Sequence, residues 1–292
     1  MSDLHRPLGT LTAAGDPVVL TPADAGWDRV GLRVLVLAPG ETRLLETGDH
    51  EAFLLPLSGG CTVDVDGERF TLRGRESVFT GVTDFAYLPR DATAEIRADR
   101  ATELAVPLAR CERRLTPAYG PADRVPVETR GAGPATRQVT NFGVPGAWDH
   151  ADRLMACELI TPDGNWSSYP PHKHDRTCPV PNEEVYYFRV AGRDGVTPSR
   201  EGFALHRTYT AEGAEHDVPV RDGDVFLIPE GYHGPCAAAP GYPLYYLNVL
   251  AGPGPRAMDF HDDPAHAWVR DTWAGRPPDP RVPVTGAQGR TR

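Results

Sequence analysis

The sequence predicts an all-β protein made of two β-sandwiches in tandem. Three observations carry this reading. Short apolar and β-branched runs recur from end to end at similar spacing. Thirty glycines and 30 prolines in 292 residues punctuate them, a density that favours many turns and short strands over long helices. A Pro/Gly-rich stretch without periodicity then divides the chain into halves of similar length.

In the first half, strands are expected over 31–37, 52–57, 61–65, 69–72, 84–88 and 93–96, most of them bounded by Gly, Pro or Asp. Asp66-Gly67 within Val63–Phe70 reads as the tight turn of a hairpin. The aperiodic run begins at Arg114. Beyond it, strands are expected over 154–160, 166–174, 184–190, 203–209, 225–228 and 244–250, with one short turn or helix over Asp263–Asp271. The expected plan is therefore a first domain over 1–120, a linker over 121–136 and a second domain over 137–275. Residues 276–292, proline-bearing and without aromatics, read as a loose tail.

A formal charge of −10 with no basic tract argues against a nucleic-acid binder. It leaves room for a small anionic ligand in a locally positive pocket. The opening Met1–Arg6 has no signal-peptide core, and no apolar stretch approaches the ~20 residues that span a bilayer. A cytoplasmic protein without membrane contact is expected. The cysteines (Cys61, Cys111, Cys157, Cys178 and Cys236) lack Cys-x-x-Cys spacing, so neither a disulfide framework nor a thiolate zinc site is indicated. Cys178 lies near the histidines and reads as a bystander.

The second half holds a metal-binding constellation. His172 and His174 are two apart, so a strand turns both imidazoles to one side. A carboxylate follows at Glu183 or Glu184, and His233 closes the turn Pro229-Glu-Gly-Tyr-His. Three imidazoles and one carboxylate suit a divalent first-row ion, with zinc the first candidate and Mn, Fe or Ni also suited. In Glu184–Phe188 alternation separates 184, 186 and 188 from 183, 185 and 187, but it does not say which set faces the metal. Asp175, Tyr186 and Asn248 are candidates to orient the ligands from behind.

One feature of composition sits inside this motif. Among 30 cationic residues, Lys173 is the only lysine, and it lies between His172 and His174. Strict alternation points it away from the metal, towards a pairing with Glu183 on the outer face. The prolines at 170 and 171 provide a means to twist the strand end and turn it inward.

The runs Trp166–Asp175, Glu183–Tyr187, Gly202-Phe203, Arg207–Tyr209, Pro229–His233, Gly241–Gly252 and Asp263–Trp268 together resemble the 5-deoxy-glucuronate isomerase family of myo-inositol catabolism, within the cupin superfamily. The likeness is dense over 153–270 and thinner before it. It implies a bicupin, two double-stranded β-helix jelly rolls in tandem, with a metal in the C-terminal one and a metal-free N-terminal one. The related 4-deoxy-5-keto-uronate isomerases carry a single Glu-Val-Tyr after their His-x-His, which points to Glu184 as the ligand beside His172, His174 and His233. The chain departs from the family in the compact 176–182 loop, in His206 where Gln is expected, and in Gly234 where Pro is expected.

The resemblance implies conversion of 5-deoxy-D-glucuronate into 2-deoxy-5-keto-D-gluconate. Such an aldose–ketose shift needs an electrophile and a proton carrier. The catalytic candidates are Lys173, Glu183 and Tyr246. The substrate carboxylate needs a cation, for which Arg207 is the candidate beside Lys173. Tyr186, Tyr232, Tyr242 and Asn248 are the candidates to bind the sugar hydroxyls. The expected partner is a small anionic sugar, and a homo-oligomer (a dimer or larger) is expected. Rival readings are the pectin-pathway isomerase, an iron-dependent cupin dioxygenase and a non-catalytic sugar-binding cupin.

Overall fold

The computed structural model describes residues 4–291. Strands dominate it, as the Gly/Pro punctuation requires; helix is confined to one turn at Pro22–Ala25 and short 3-10 segments, including Ala267–Trp273. Two large sheets repeat one strand order. In the first, Ala118–Gly120, Phe85–Leu88, His50–Val65, Thr102–Arg110, Val30–Leu37 and Val18–Leu20 are neighbours in turn. In the second the sequence is His5–Arg6, Val225–Ile228, Glu183–Val190, Leu244–Ala251, Met155–Thr161, Arg137–Gly143 and Val127–Arg130. Each sheet curls over a second layer to form a jelly roll. The outer layer of the second roll contains Glu215–Val220, Ala204–Tyr209, Tyr232–Ala238, His172–Lys173 and His261–Asp262.

Alternation along the strands yields three cores. Leu35, Leu54, Ile96 and Leu104 fill the first roll. Tyr186, Phe188, Phe226 and Tyr246 fill the second. Between the rolls, Phe53, Tyr87, Val185, Tyr187, Tyr245 and Leu247 bury the backs of the two large sheets against each other. The strand Glu183–Val190 thus presents even-numbered residues to its own roll and odd-numbered ones to the other domain.

Two glutamates cross this junction reciprocally. Glu183 begins its strand, and its carboxylate accepts from the backbone N–H of Asp28 at 2.9 Å, Arg29 at 3.0 Å and Val30 at 2.8 Å. Glu51 stands at the same place in the first roll and accepts from the N–H of Asp152, Arg153 and Leu154. The duplication therefore extends to how each half holds the other. By the same alternation Ala52 follows Glu51 as Glu184 follows Glu183, and Ala52 is packed among the apolar residues of the first roll. A buried Arg75–Glu158 pair adds a third link, with Tyr245 Oη donating to Glu158 at 2.8 Å.

Several expectations change here. The runs 52–57 and 61–65 are one strand, His50–Val65, bent at a register shift between Gly59 and Cys61. The hairpin turn at Asp66-Gly67 has both residues at positive φ, 50° and 81°, as a tight two-residue turn requires. The run 166–174 is two short strands, Trp166–Ser167 and His172–Lys173, because Ser168 takes φ 48° and Pro170 and Pro171 lack N–H donors. The linker plan over 121–136 is cut short, since Val127–Arg130 pairs with Arg137–Gly143 in the second sheet. His5–Arg6, assigned above to the first domain, pairs with Val225 and Phe226 of the second. The 276–292 segment is not loose throughout: Gln138 Oε1 accepts from the N–H of Val284 and Thr285, and Gly286 O accepts from Val82 N–H.

Candidate metal centre

His174, Glu184 and His233 bring one ligand atom each within 4.8 Å of one another inside the second roll. Three separate elements supply them. His174 follows the short strand His172–Lys173, Glu184 points inward from the second sheet, and His233 lies on Tyr232–Ala238, in register with His172. The ring of His172 lies 4.3 Å from that of His233 and 6.4 Å from that of His174, centroid to centroid. It therefore flanks the trio without joining its tightest cluster.

Backbone carbonyls set the ring orientations. His174 Nδ1 lies 3.0 Å from Asn182 O, and His172 Nδ1 lies 3.3 Å from Pro170 O. A carbonyl only accepts, so each Nδ1 carries a proton, which leaves Nε2 as the ligand nitrogen when the ring is neutral. His174 Nε2 then meets Glu184 Oε2 at 2.9 Å. Two acceptors at that distance need a cation between them, either a proton or a metal. Buried His233 has no hydrogen-bond partner on either ring nitrogen, although its Nε2 lies 3.1 Å from the same Glu184 oxygen. This donor set fits a divalent ion.

The electrostatics agree. Burial alone would raise the Glu184 carboxyl, but His174 and His233 hold it down at about 2. Burial lowers His233. It works against charge on His174 too, yet Glu184 outweighs it and raises that imidazole. Gly234 follows His233 at φ 101°, where a Cβ would stand 1.8 Å from Ser168 O. Neither proline nor any other side chain fits there, which explains that departure from the expected motif.

The cluster opens into a cavity of about 480 Å³. His172, His174, Glu184, Ser168 and Asn248 line it, together with Arg130, Arg137, Arg270, Phe260 and Trp273. Asn248 shares the inward face with Tyr246, and its buried Oδ1 has no partner, which leaves it free for a ligand hydroxyl. Tyr186 and Tyr246 do not line the cavity. Their hydroxyls lie 3.3 Å and 2.9 Å from Ser168 Oγ, one layer behind it, and burial raises both far above the usual phenol range. Tyr246 is thereby corrected from catalyst to support. Beside Tyr186, burial pushes His206 down to about 3, which favours a neutral ring.

The remaining candidates lie elsewhere. Glu183 is on the opposite sheet face, engaged by three amides, and is corrected to a domain strap. Lys173 points outward, as alternation requires, but pairs with Thr177 Oγ1 at 2.8 Å and the Tyr232 ring rather than with Glu183. Tyr232 also stacks near Tyr209, outside the cavity. Arg207 is half-buried and held by Glu215 and by Tyr209 of its own strand. Tyr242 packs on Gly202. Asp175 touches no histidine ring; it accepts from the N–H groups of Thr177 and Gly231 and so ties the His174 loop to the His233 turn. The arginines that do face the cavity were missed because they come from the expected linker, the strand after it and the C-terminal 3-10 segment. Alternation in Arg137-Gln138-Val139 is a local signal that could have found Arg137.

The comparisons with known proteins agree with this architecture. The chain matches the KduI/IolB family over residues 7–269. It is 40% identical to a 5-deoxy-glucuronate isomerase of Geobacillus kaustophilus (strain HTA426), with 93% of this chain and 97% of that protein covered. It is 34% identical to one of Bacillus subtilis (strain 168), at 91% and 97% coverage. The crystal structure of an IolB-like protein from Salmonella typhimurium LT2 superposes with a TM-score of 0.83 at 32% identity, covering 92% of this chain and 99% of that one. A Bacillus subtilis oxalate decarboxylase shares the two-roll fold alone, at TM-score 0.63, 11% identity and coverage of 90% and 80%. In fold the protein is a bicupin, and by sequence and structure it belongs to the KduI/IolB family.

Proposed function

We propose that the protein isomerises 5-deoxy-D-glucuronate to 2-deoxy-5-keto-D-gluconate, a step of myo-inositol breakdown, with a divalent metal at His172, His174, Glu184 and His233. The names of its relatives support the reaction. The observation that carries the metal is the convergence of His174, Glu184 and His233, one ligand atom each within 4.8 Å of the others, with both buried His233 ring nitrogens lacking a hydrogen-bond partner beside an open cavity. His172, whose ring lies 4.3 Å from that of His233, is the fourth donor of this proposed site. A metal held there supplies Lewis-acid polarisation of the carbonyl and adjacent hydroxyl, and zinc remains the first candidate for this donor set.

The chain's own groups bind and orient the sugar. Asn248 Oδ1 accepts a hydroxyl of the substrate. Ser168, backed by Tyr246, presents a hydroxyl held in place from behind. Arg130, Arg137 and Arg270 line the cavity together with Glu128, Glu184 and Asp259, and a guanidinium among them suits the carboxylate of a sugar acid. Phe260 and Trp273 give the cavity apolar faces for the sugar ring.

Substrate competition tests this reading. Metal-loaded protein is given 5-deoxy-glucuronate and the 4-deoxy-5-keto-uronate separately, with ketose formation and oxygen uptake both followed. The proposal predicts a higher kcat/KM on 5-deoxy-glucuronate and no oxygen uptake. Preference for the other uronate, oxygen consumption, or no turnover of either would reject it.

A further inference from the structure

We infer that Arg137 is the carboxylate anchor of the cavity, with Arg130 facing it from the neighbouring strand. The inference rests on the isomerase reading for the identity of the sugar, but not for the presence of an anion site. Arg137 shares the inward face of its strand with Val139, and it is 6% exposed. Its Nη1 donates to Ala135 O at 3.2 Å, and its buried Nε has no partner. Arg137 takes part in no ion pair among the described residues.

The other cavity arginines differ. Glu128 holds Arg130 at 2.9 Å, and Asp262 grips Arg270 with both oxygens. Arg130 and Arg137 are direct cross-strand partners, an arrangement in which like charges repel. Burial, and then the charges of Arg130 and Arg270, lower Arg137 to about 10. The guanidinium lies 5.7 Å from the Trp273 ring centre, which Arg270 also approaches at 5.3 Å. A buried, oriented, uncompensated fork in a cavity wall matches a two-oxygen anion. Its place in the cavity that contains His172, His174 and Glu184 makes that anion the carboxylate end of the sugar being isomerised.

Calorimetric titration of the metal-loaded protein with D-glucuronate and with D-glucose tests the anchor. Wild type should bind glucuronate at least about tenfold more tightly, the size of one charge-assisted contact. Arg137→Gln should remove that preference with metal content unchanged, and Arg137→Lys should restore part of it. If Arg137→Gln does not fold, tryptophan emission substitutes: glucuronate, but not glucose, should alter it in wild type, and Trp273→Phe should abolish the change. Equal binding of both sugars by wild type, or retained preference in Arg137→Gln, would overturn the anchor and leave the isomerase reading intact. Retained anion preference without isomerisation of 5-deoxy-glucuronate would overturn that reading and leave the anchor.

Discussion

Glu183 and Glu184 are adjacent in sequence, and their carboxylates serve opposite faces of one strand. Glu183 accepts three amides of the other domain, while Glu184 meets His174 and His233 inside its own roll. Replacing each in turn should therefore separate stability from metal binding. Glu183→Ala leaves three amides without their acceptor and should cost about 3 kcal/mol, seen as a lower Tm with metal content retained. Glu184→Gln should remove the bound metal, measured by elemental analysis, while the far-ultraviolet dichroism of the β fold persists. Metal loss in the first variant, or full metal in the second, would reverse the assignment.

Gly252 lies against the segment that orients His174. A Cβ there would stand 1.9 Å from Pro181 O and 2.9 Å from Asn182 Oδ1. Asn182 O is the carbonyl that fixes His174. Gly252→Ala should displace the 181–182 backbone and weaken metal binding about 10- to 100-fold, the usual effect of losing such an orienting partner. Competition with a chromogenic chelator measures it; unchanged affinity would mean that the carbonyl is not needed.

Lys173 and Arg207 should tolerate replacement. Both lie outside the cavity, on Thr177 and Glu215 respectively. Lys173→Arg and Arg207→Ala should leave kcat/KM within about twofold of wild type, the effect of an ordinary surface change. A larger fall in either steady-state assay would place that residue back in the site.

The Arg75–Glu158 pair is buried on both sides, and Glu158 also accepts from Tyr245. Glu158→Gln removes the charge that balances Arg75 and should cost roughly 3 kcal/mol. Thermal unfolding should record a Tm lower by roughly 5 °C for a chain of this size. A shift of a degree or less would show that the pair adds little to the domain junction.

The parts of the site legible in sequence are those fixed by local periodicity. His172, His174 and His233 stand out by spacing and turn residues, and alternation alone set the outward direction of Lys173. The choice between Glu183 and Glu184 was not local, because Val185 and Tyr187 face a second apolar core between domains, not solvent. A strand buried on both faces loses the contrast that reveals its phase. Arg130 and Arg137 were hidden for another reason. Their cavity role depends on a strand pairing that joins the expected linker to the second sheet, and on Trp273 returning from beyond residue 270. The 276–292 segment was read from composition, which does not register that Gln138 supplies its hydrogen bonds.

The most direct measurement is isomerisation before and after metal exchange. The purified protein is stripped by a chelator, dialysed, and assayed without oxygen on 5-deoxy-glucuronate, then reloaded with one equivalent of zinc or manganese. The account predicts ketose formation by the native protein, its loss on stripping, and its recovery on reloading in wild type but not in Glu184→Gln. Full turnover by the stripped protein would contradict it.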